Sequence, residues 1–106
     1  MNLTVGTVAY TAPEQLMGED IDGRADQYAL AATTHHLLTG TPLFPVTNPV
    51  AAISQHLTET PPKLSTQRPE LAPLDAALTR ALSKKPDHRY PDCTAFANAL
   101  TAATNM

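Results

Sequence analysis

The residues that could do chemistry in this chain are few and scattered. The segment Val5 to Gly18, VGTVAYTAPEQLMG, holds no nucleophile paired with a base, no set of metal ligands and no phosphate-binding glycine loop. His35 and His36 are adjacent, so on a helix they point about 100° apart and cannot share one metal ion. His56 and His88 lie in distant segments. We therefore predict neither a catalytic residue nor a metal site.

Bulk properties exclude several classes of protein. The 106 residues suffice for one compact unit or for one piece of a larger one. Seven basic residues against ten acidic ones, a net charge of -3, argue against nucleic acid or an anionic membrane as partner. No apolar run approaches the roughly 20 residues of a membrane span, and the first ten residues lack the basic segment and continuous apolar stretch of a secretory signal. The lone Cys93, expected as a small packing residue, suits a reducing cytosol, so we predict a cytoplasmic location.

Ten prolines divide the sequence into segments of helical period, and we find no convincing strand. The segment Gly23 to Gly40 is apolar nearly all round, which predicts a buried helix ended by a glycine cap. A second helix should begin at Pro49 with Asn48 as its N-cap. We expect its core face to carry an apolar stripe, formed by Val50, Ile53 and Leu57.

Two more helices follow a long proline-rich segment. Leu74, Leu78, Ala81 and Leu82 form one stripe before Pro86 forbids continuation. A last helix, capped by Asp92, should point an apolar face inward, namely Phe96, Ala97 and Leu100. The segment Thr58 to Pro73 is long for a loop in a helical domain, so its residues should pack on something. The predicted fold class is all-α, with four main helices and no sheet.

Four motifs in order resemble the eukaryotic-like Ser/Thr protein kinases, especially the bacterial ones. Gly6 to Glu14 resembles G-T-x-x-Y-x-A-P-E, which closes the activation segment, and Asp26 to Leu30 resembles D-x-[YW]-[SA]-L of the central helix. Gly40 to Phe44 is similar to G-x-P-[LF]-F. Lys85 to Arg89 is similar to the K-x-P-x-x-R region. Because two lysines, Lys84 and Lys85, stand side by side here, we expect the alignment with this motif to be shifted. Four matches over nearly the whole chain make accident improbable.

The resemblance implies that residues 1–106 are the C-terminal part of a kinase C-lobe, with a short helix at the A-P-E motif. The sequence has no G-x-G-x-x-G, H-R-D or D-F-G, which a kinase uses to hold ATP and magnesium and to orient the hydroxyl. We therefore expect this chain to be inactive alone and to bind no cofactor. ATP and Mg²⁺ would belong to the parent kinase, and the partners would be its N-terminal part and a protein substrate.

The resemblance also assigns roles to single residues. Glu14 and Arg89 would form a structural ion pair, although two solvated surface charges remain the alternative from the residues alone. Asp26, in the first turn of a helix whose dipole favours a carboxylate, would anchor the catalytic loop. Thr7 and Tyr10 would contact substrate. Thr4 lies where activation-segment phosphorylation can occur.

Two functions remain open, together with the weaker possibility of an unrelated helical protein. The first is a part of a Ser/Thr kinase that supplies substrate docking and scaffold. The second is a helical binding module derived from a kinase lobe, without catalysis. In either case the apolar faces of the central helix at Leu30, Leu37 and Leu38 would lack neighbours. We therefore expect the isolated chain to be a homo-oligomer, with or without domain swapping, or to be partly molten.

Overall fold

The computed structural model describes residues 10–19, 21–44 and 48–104, and within these ranges the chain is helical without a strand. The all-α prediction is thus confirmed for this part of the chain, including a short helix that begins inside the A-P-E motif. The α-helices are α1 Pro13–Leu16, α2 Gly23–Thr39, α3 Pro49–Thr58, α4 Leu64–Gln67, α5 Asp75–Ala81 and α6 Cys93–Thr104. Two 3-10 helices occupy Pro69–Leu74 and Pro86–His88.

Helix α2 is the central element, and it packs against α4, α5 and α6. It begins after Asp22, whose Oδ1 accepts a hydrogen bond from the backbone N–H of Arg24 at 2.8 Å. It ends at Gly40, as predicted. With φ of 78° this glycine is in the left-handed region, and its N–H donates to the carbonyl of His36 at 2.8 Å.

The two predicted N-caps are confirmed. Asn48 Oδ1 accepts from the N–H of Ala51 at 2.8 Å, and Asp92 Oδ1 accepts from the N–H of Ala95 at the same distance. Each side chain thereby satisfies a helix-end donor that has no partner within the helix. Local side chains therefore set where α3 and α6 begin.

The predicted inner face of α3 is wrong at Val50, whereas Ile53 and Leu57 are half-buried. Val50 is 77% exposed, whereas Ala52 and His56 are buried. Burial of His56 is possible because its Nδ1 shares a 2.7 Å hydrogen bond with the Tyr28 hydroxyl. The buried face of α3 therefore includes the polar residue His56, which has a hydrogen-bond partner in α2, and it excludes Val50.

Helix α6 also differs in one residue of its predicted face. Phe96 is fully buried and Leu100 is half-buried, but Ala97 is exposed. Neighbouring residues on a helix point about 100° apart, so a face centred on Phe96 continues at Ala99 and Ala103 instead.

The long proline-rich segment packs on the core, as expected. Leu64, at the start of α4, is only 1% exposed. The carboxylate of Asp75 accepts hydrogen bonds from both the backbone N–H and the hydroxyl of Ser65, which joins α4 to α5. Short helices thus satisfy the backbone of a stretch that the sequence marks only as irregular.

The buried core is rich in alanine, which lets the helices approach closely. All four residues of the predicted stripe between Leu74 and Leu82 belong to it. Its members are Ala12, Ala25, Tyr28, Ala31, Ala32, Leu43, Phe44, Leu64, Leu74, Ala77, Leu78, Ala81, Leu82 and Phe96. Among the described helices, none is long and apolar enough to cross a membrane.

A matched pair of truncations tests this core. Leu64→Ala should lower the free energy of unfolding by about 2–5 kcal/mol, because it removes a buried side chain and leaves a cavity. Leu37→Ala makes the same chemical change at a side chain that is 81% exposed, and it should cost about 0.5 kcal/mol or less. Urea unfolding of both variants measures the difference; equal losses would contradict the placement of Leu64.

Candidate functional site

The structure brings Glu14 and Arg89 together in a buried, bidentate ion pair. Arg89 Nη1 lies 2.7 Å from Glu14 Oε2, and Nη2 lies 2.8 Å from Oε1. The two side chains are 0% and 3% exposed. Two parallel N–H···O bonds use the planar fork of the guanidinium and hold both side chains in one orientation.

Every N–H donor of the Arg89 side chain has an acceptor. Beyond Glu14, the guanidinium donates to the carbonyls of Ser83 at 2.8 Å, Arg24 at 2.9 Å and Lys84 at 3.5 Å. Its carbon atom also lies 5.1 Å from the ring centroid of Tyr28. One cation therefore links α1, the start of α2 and the connection between α5 and α6. We call Glu14, Arg89 and these three carbonyls the arginine clamp.

Tyr10 lies beside the central helix. Its hydroxyl and His36 Nδ1 are 2.7 Å apart, and the two rings stack with centroids 6.0 Å apart. Two residues later Ala12 is fully buried, and its N–H donates to the side-chain oxygen of Gln15 at 3.0 Å. The contact of Tyr10 with His36 and the hydrogen bond of Ala12 to Gln15 thus fix the backbone immediately before α1.

Asp26 lies in the first turn of α2 with an exposed side chain. The N-cap itself is Asp22, which sequence reasoning did not single out, so capping by a side-chain hydrogen bond belongs to Asp22 and not to Asp26. The Arg24 guanidinium beside Asp22 holds the pKa of that carboxyl below its usual value. Asp26 is exposed to solvent. Thr4 and Thr7 lie outside the described residues.

A second long-range clamp was missed by sequence reasoning. Gln27 is fully buried; its Nε2 donates to the carbonyl of Tyr90 at 2.8 Å, and its Oε1 accepts from the N–H of Tyr90 at 3.0 Å. The amide thus pairs with the backbone as a neighbouring strand would. A glutamine that lies between Ala25 and Tyr28 on the buried face of α2 is the signal that could have revealed it.

Burial favours the neutral forms of Tyr28 and His35. Burial raises the pKa of the Tyr28 hydroxyl, with Arg89 opposing the shift. Burial and the neighbouring His36 lower the pKa of His35, which is 1% exposed. Among the described residues no group of histidine, cysteine, aspartate and glutamate side chains is placed to hold a metal ion.

The K-x-P-x-x-R register can be read directly from the structure. The Nζ of Lys84 lies against the protein, 3.5 Å from the carbonyl oxygen of Gln55, whereas Lys85 is exposed. Lys84, Pro86 and Arg89 then fit the motif spacing without any alteration. The motif lysine is Lys84, and the expected change of register is corrected.

The class of fold that these helices and clamps define is the helical C-lobe of a protein kinase domain. A crystal structure of the Mycobacterium tuberculosis PknI kinase domain superposes with a TM-score of 0.74 at 45% identity, covering 92% of this chain and 36% of that one. No family model matches the sequence.

Curated relatives agree with the structural match. The serine/threonine-protein kinase PknF of M. tuberculosis is 60% identical over 99 residues, which cover 93% of this chain and 21% of PknF. PknI of the same organism is 49% identical over 92 residues, covering 87% of this chain and 14% of PknI. This chain belongs to the bacterial serine/threonine protein kinases, as its motifs indicated, and it spans about a fifth or less of the length of these relatives.

Breaking the arginine clamp tests its role in the fold. Glu14→Gln removes one charge of a buried pair and leaves the guanidinium uncompensated, so the free energy of unfolding should fall by about 3–5 kcal/mol. The matched control is Glu70→Gln, which breaks an exposed pair with Arg68 at the same 2.7 Å separation. That change should cost less than about 1 kcal/mol. Chemical denaturation measures both variants, and similar losses would refute a special role for the buried pair.

Proposed function

We propose that residues 1–106 form a partial kinase domain that supplies the substrate-docking surface and scaffold for phosphorylation of protein serine and threonine. The observation that carries the proposal is the arginine clamp. It fixes Glu14, the last residue of the A-P-E motif, to the body of the helical lobe through two hydrogen bonds. A docking surface must be rigid to hold a hydroxyl in line for transfer, and the clamp provides such rigidity.

Tyr10 and Thr7 are the proposed substrate-contacting residues. The hydrogen bond of Tyr10 to His36 holds its ring against α2, where the ring would form one wall of the pocket for the substrate residue that follows the phosphorylated one. Thr7 would meet the catalytic residues. Thr4 would be a phosphorylation site that orders the activation segment.

Asp26 is the proposed anchor of the catalytic loop. Its exposed carboxylate stands in the first turn of α2, where it can accept hydrogen bonds from backbone N–H groups of a neighbouring segment. That segment would belong to the rest of the kinase domain. Asp26 would thus position the catalytic loop by accepting its hydrogen bonds, and it would take no part in the reaction itself.

ATP and Mg²⁺ would be held elsewhere in the parent kinase. The residues present do not fit them, because the sequence lacks the glycine-rich loop and the H-R-D and D-F-G motifs. The described residues show no carboxylate cluster suited to a divalent ion. We therefore assign no step of phosphoryl transfer to this chain, which we expect to be inactive alone. A cytoplasmic location is proposed with it, since the reaction consumes ATP.

A chimaera tests the proposal. Replacing the matching residues of the M. tuberculosis PknF catalytic domain with this chain should retain phosphorylation of a Ser/Thr peptide, because the clamp and docking residues are supplied intact. Tyr10→Ala in the chimaera should raise KM for the peptide by about tenfold, or ~1.4 kcal/mol of binding, with a smaller change in kcat. Steady-state kinetics with varied peptide separate the two parameters.

Thr33→Ala, at an exposed residue of α2, is the matched control and should leave both parameters unchanged. A folded chimaera that binds ATP but transfers no phosphate would refute the kinase assignment of this segment. Equal effects of Tyr10→Ala on KM for the peptide and for ATP would refute the docking role alone.

A second candidate, the binding module, is favoured by the outer face of α2. Leu30 and Leu37 are 42% and 81% exposed and lie seven residues apart, on the same side of the helix. We propose that the isolated 106-residue chain covers this face by self-association. Light scattering after gel filtration should show oligomers at micromolar concentration, and Leu37→Glu should convert them to monomers; a monomeric unmodified chain would count against it.

A further inference from the structure

An open groove runs between the end of α3 and the connection from α5 to α6. Its volume of about 390 Å³ lies in the range of small-molecule sites. The walls combine an apolar part, from Pro61 and Leu82, with a hydroxyl from Thr58. The lining also includes three basic residues, Lys84, Lys85 and His88. None of the arginine clamp side chains or the proposed docking residues line it.

Lys84 differs from the other two lysines of the chain in its surroundings. Lys63 and Lys85 are exposed, whereas Lys84 is half-buried. Its Nζ lies 3.5 Å from the carbonyl oxygen of Gln55 and 5.1 Å from the ring centroid of Phe44. The amine is therefore held at a defined place in the groove wall, while a freely rotating lysine would sample many positions.

The protonation of this amine is unusual as well. Burial lowers the pKa of Lys84 to about 8; the cation of Arg89 acts in the same direction, and Glu59 opposes it. Lys85 adds a positive charge at the groove. At pH 7.4 about one fifth of the Lys84 side chains would carry a neutral, nucleophilic amine, against about one in a thousand for an ordinary lysine.

The charge around the groove selects the kind of molecule that would enter. Among the described residues that line it there is no acidic side chain, and Lys85 is an exposed cation. Glu59, which acts on Lys84, lies between the lining residues Thr58 and Thr60 and is the carboxylate that opposes this positive charge at the amine. A small anion would be attracted here even though the chain as a whole carries a net charge of -3.

We propose that this groove is a lysine-acylation site, in which Lys84 Nζ takes the acyl group of a small acyl phosphate. The neutral amine attacks the carbonyl carbon and forms the C–N bond of an amide. The bond from that carbon to the bridging oxygen breaks, and phosphate leaves with the proton that the amine loses. Nothing is oxidised or reduced, and the product side chain is neutral. The site is independent of phosphoryl transfer by the parent kinase.

The test uses the full chain and acetyl phosphate at pH 7.4, with site-resolved mass spectrometry of the initial acetylation rates. Lys84 should react on the order of tenfold faster than Lys85 or Lys63, since the larger neutral fraction is partly offset by the lower nucleophilicity of a weaker base. In 8 M urea the three rates should become equal. A Lys84 rate no higher than that of Lys85 in the folded chain overturns the proposal.

A double variant, Lys85→Gln with His88→Gln, tests the choice of donor. Both side chains are exposed, so the fold should be unaffected. The rate at Lys84 with acetyl phosphate should fall by about fivefold, which corresponds to ~1 kcal/mol of attraction near a surface. The rate with S-ethyl thioacetate, an uncharged donor, should not change. An unchanged rate with acetyl phosphate overturns the assignment of an anionic acyl donor.

Discussion

The buried pair between Glu14 and Arg89 is the interaction on which the rest of this structure depends. Two charges removed from water are expensive unless each is fully hydrogen-bonded, and here the carboxylate and three backbone carbonyls use every donor of the guanidinium. Such a pair need not add much stability over an apolar replacement, but it tolerates few alternative arrangements. Its main effect is to specify where α1 lies against α2.

Local signals in the sequence were enough for the four main helices and for three of their ends. Asn48, Asp92 and Gly40 act through bonds to residues within four positions, so the residue types alone predict them. The buried faces of α3 and α6 were only partly predictable, because the partner of His56 is Tyr28, 28 residues away. Composition shows that a residue is polar, and only the folded chain shows whether another element satisfies it.

The candidate site, like the helices, was predictable from the sequence only in part. The order of the motifs identified the family, and the resemblance singled out Glu14 and Arg89 before any geometry was known. Gln27 carried no such signal, although its amide joins α2 to Tyr90 as firmly as a strand pair would. Arg89 also donates to the carbonyl of Lys84 at 3.5 Å. Burial lowers the pKa of the Lys84 amine, Glu59 opposes this shift, and Arg89 adds to it.

The sequence separation within the arginine clamp has a consequence for how the protein is made. Glu14 is synthesised 75 residues before its partner, so at translation rates of about 5–20 residues per second the carboxylate waits roughly 4 to 15 seconds for Arg89 to follow it. During that interval Glu14 lacks the bidentate partner that joins α1 to the rest of the lobe. The hydrogen bonds that fix Glu14 to the lobe are therefore completed only after Arg89 has been synthesised.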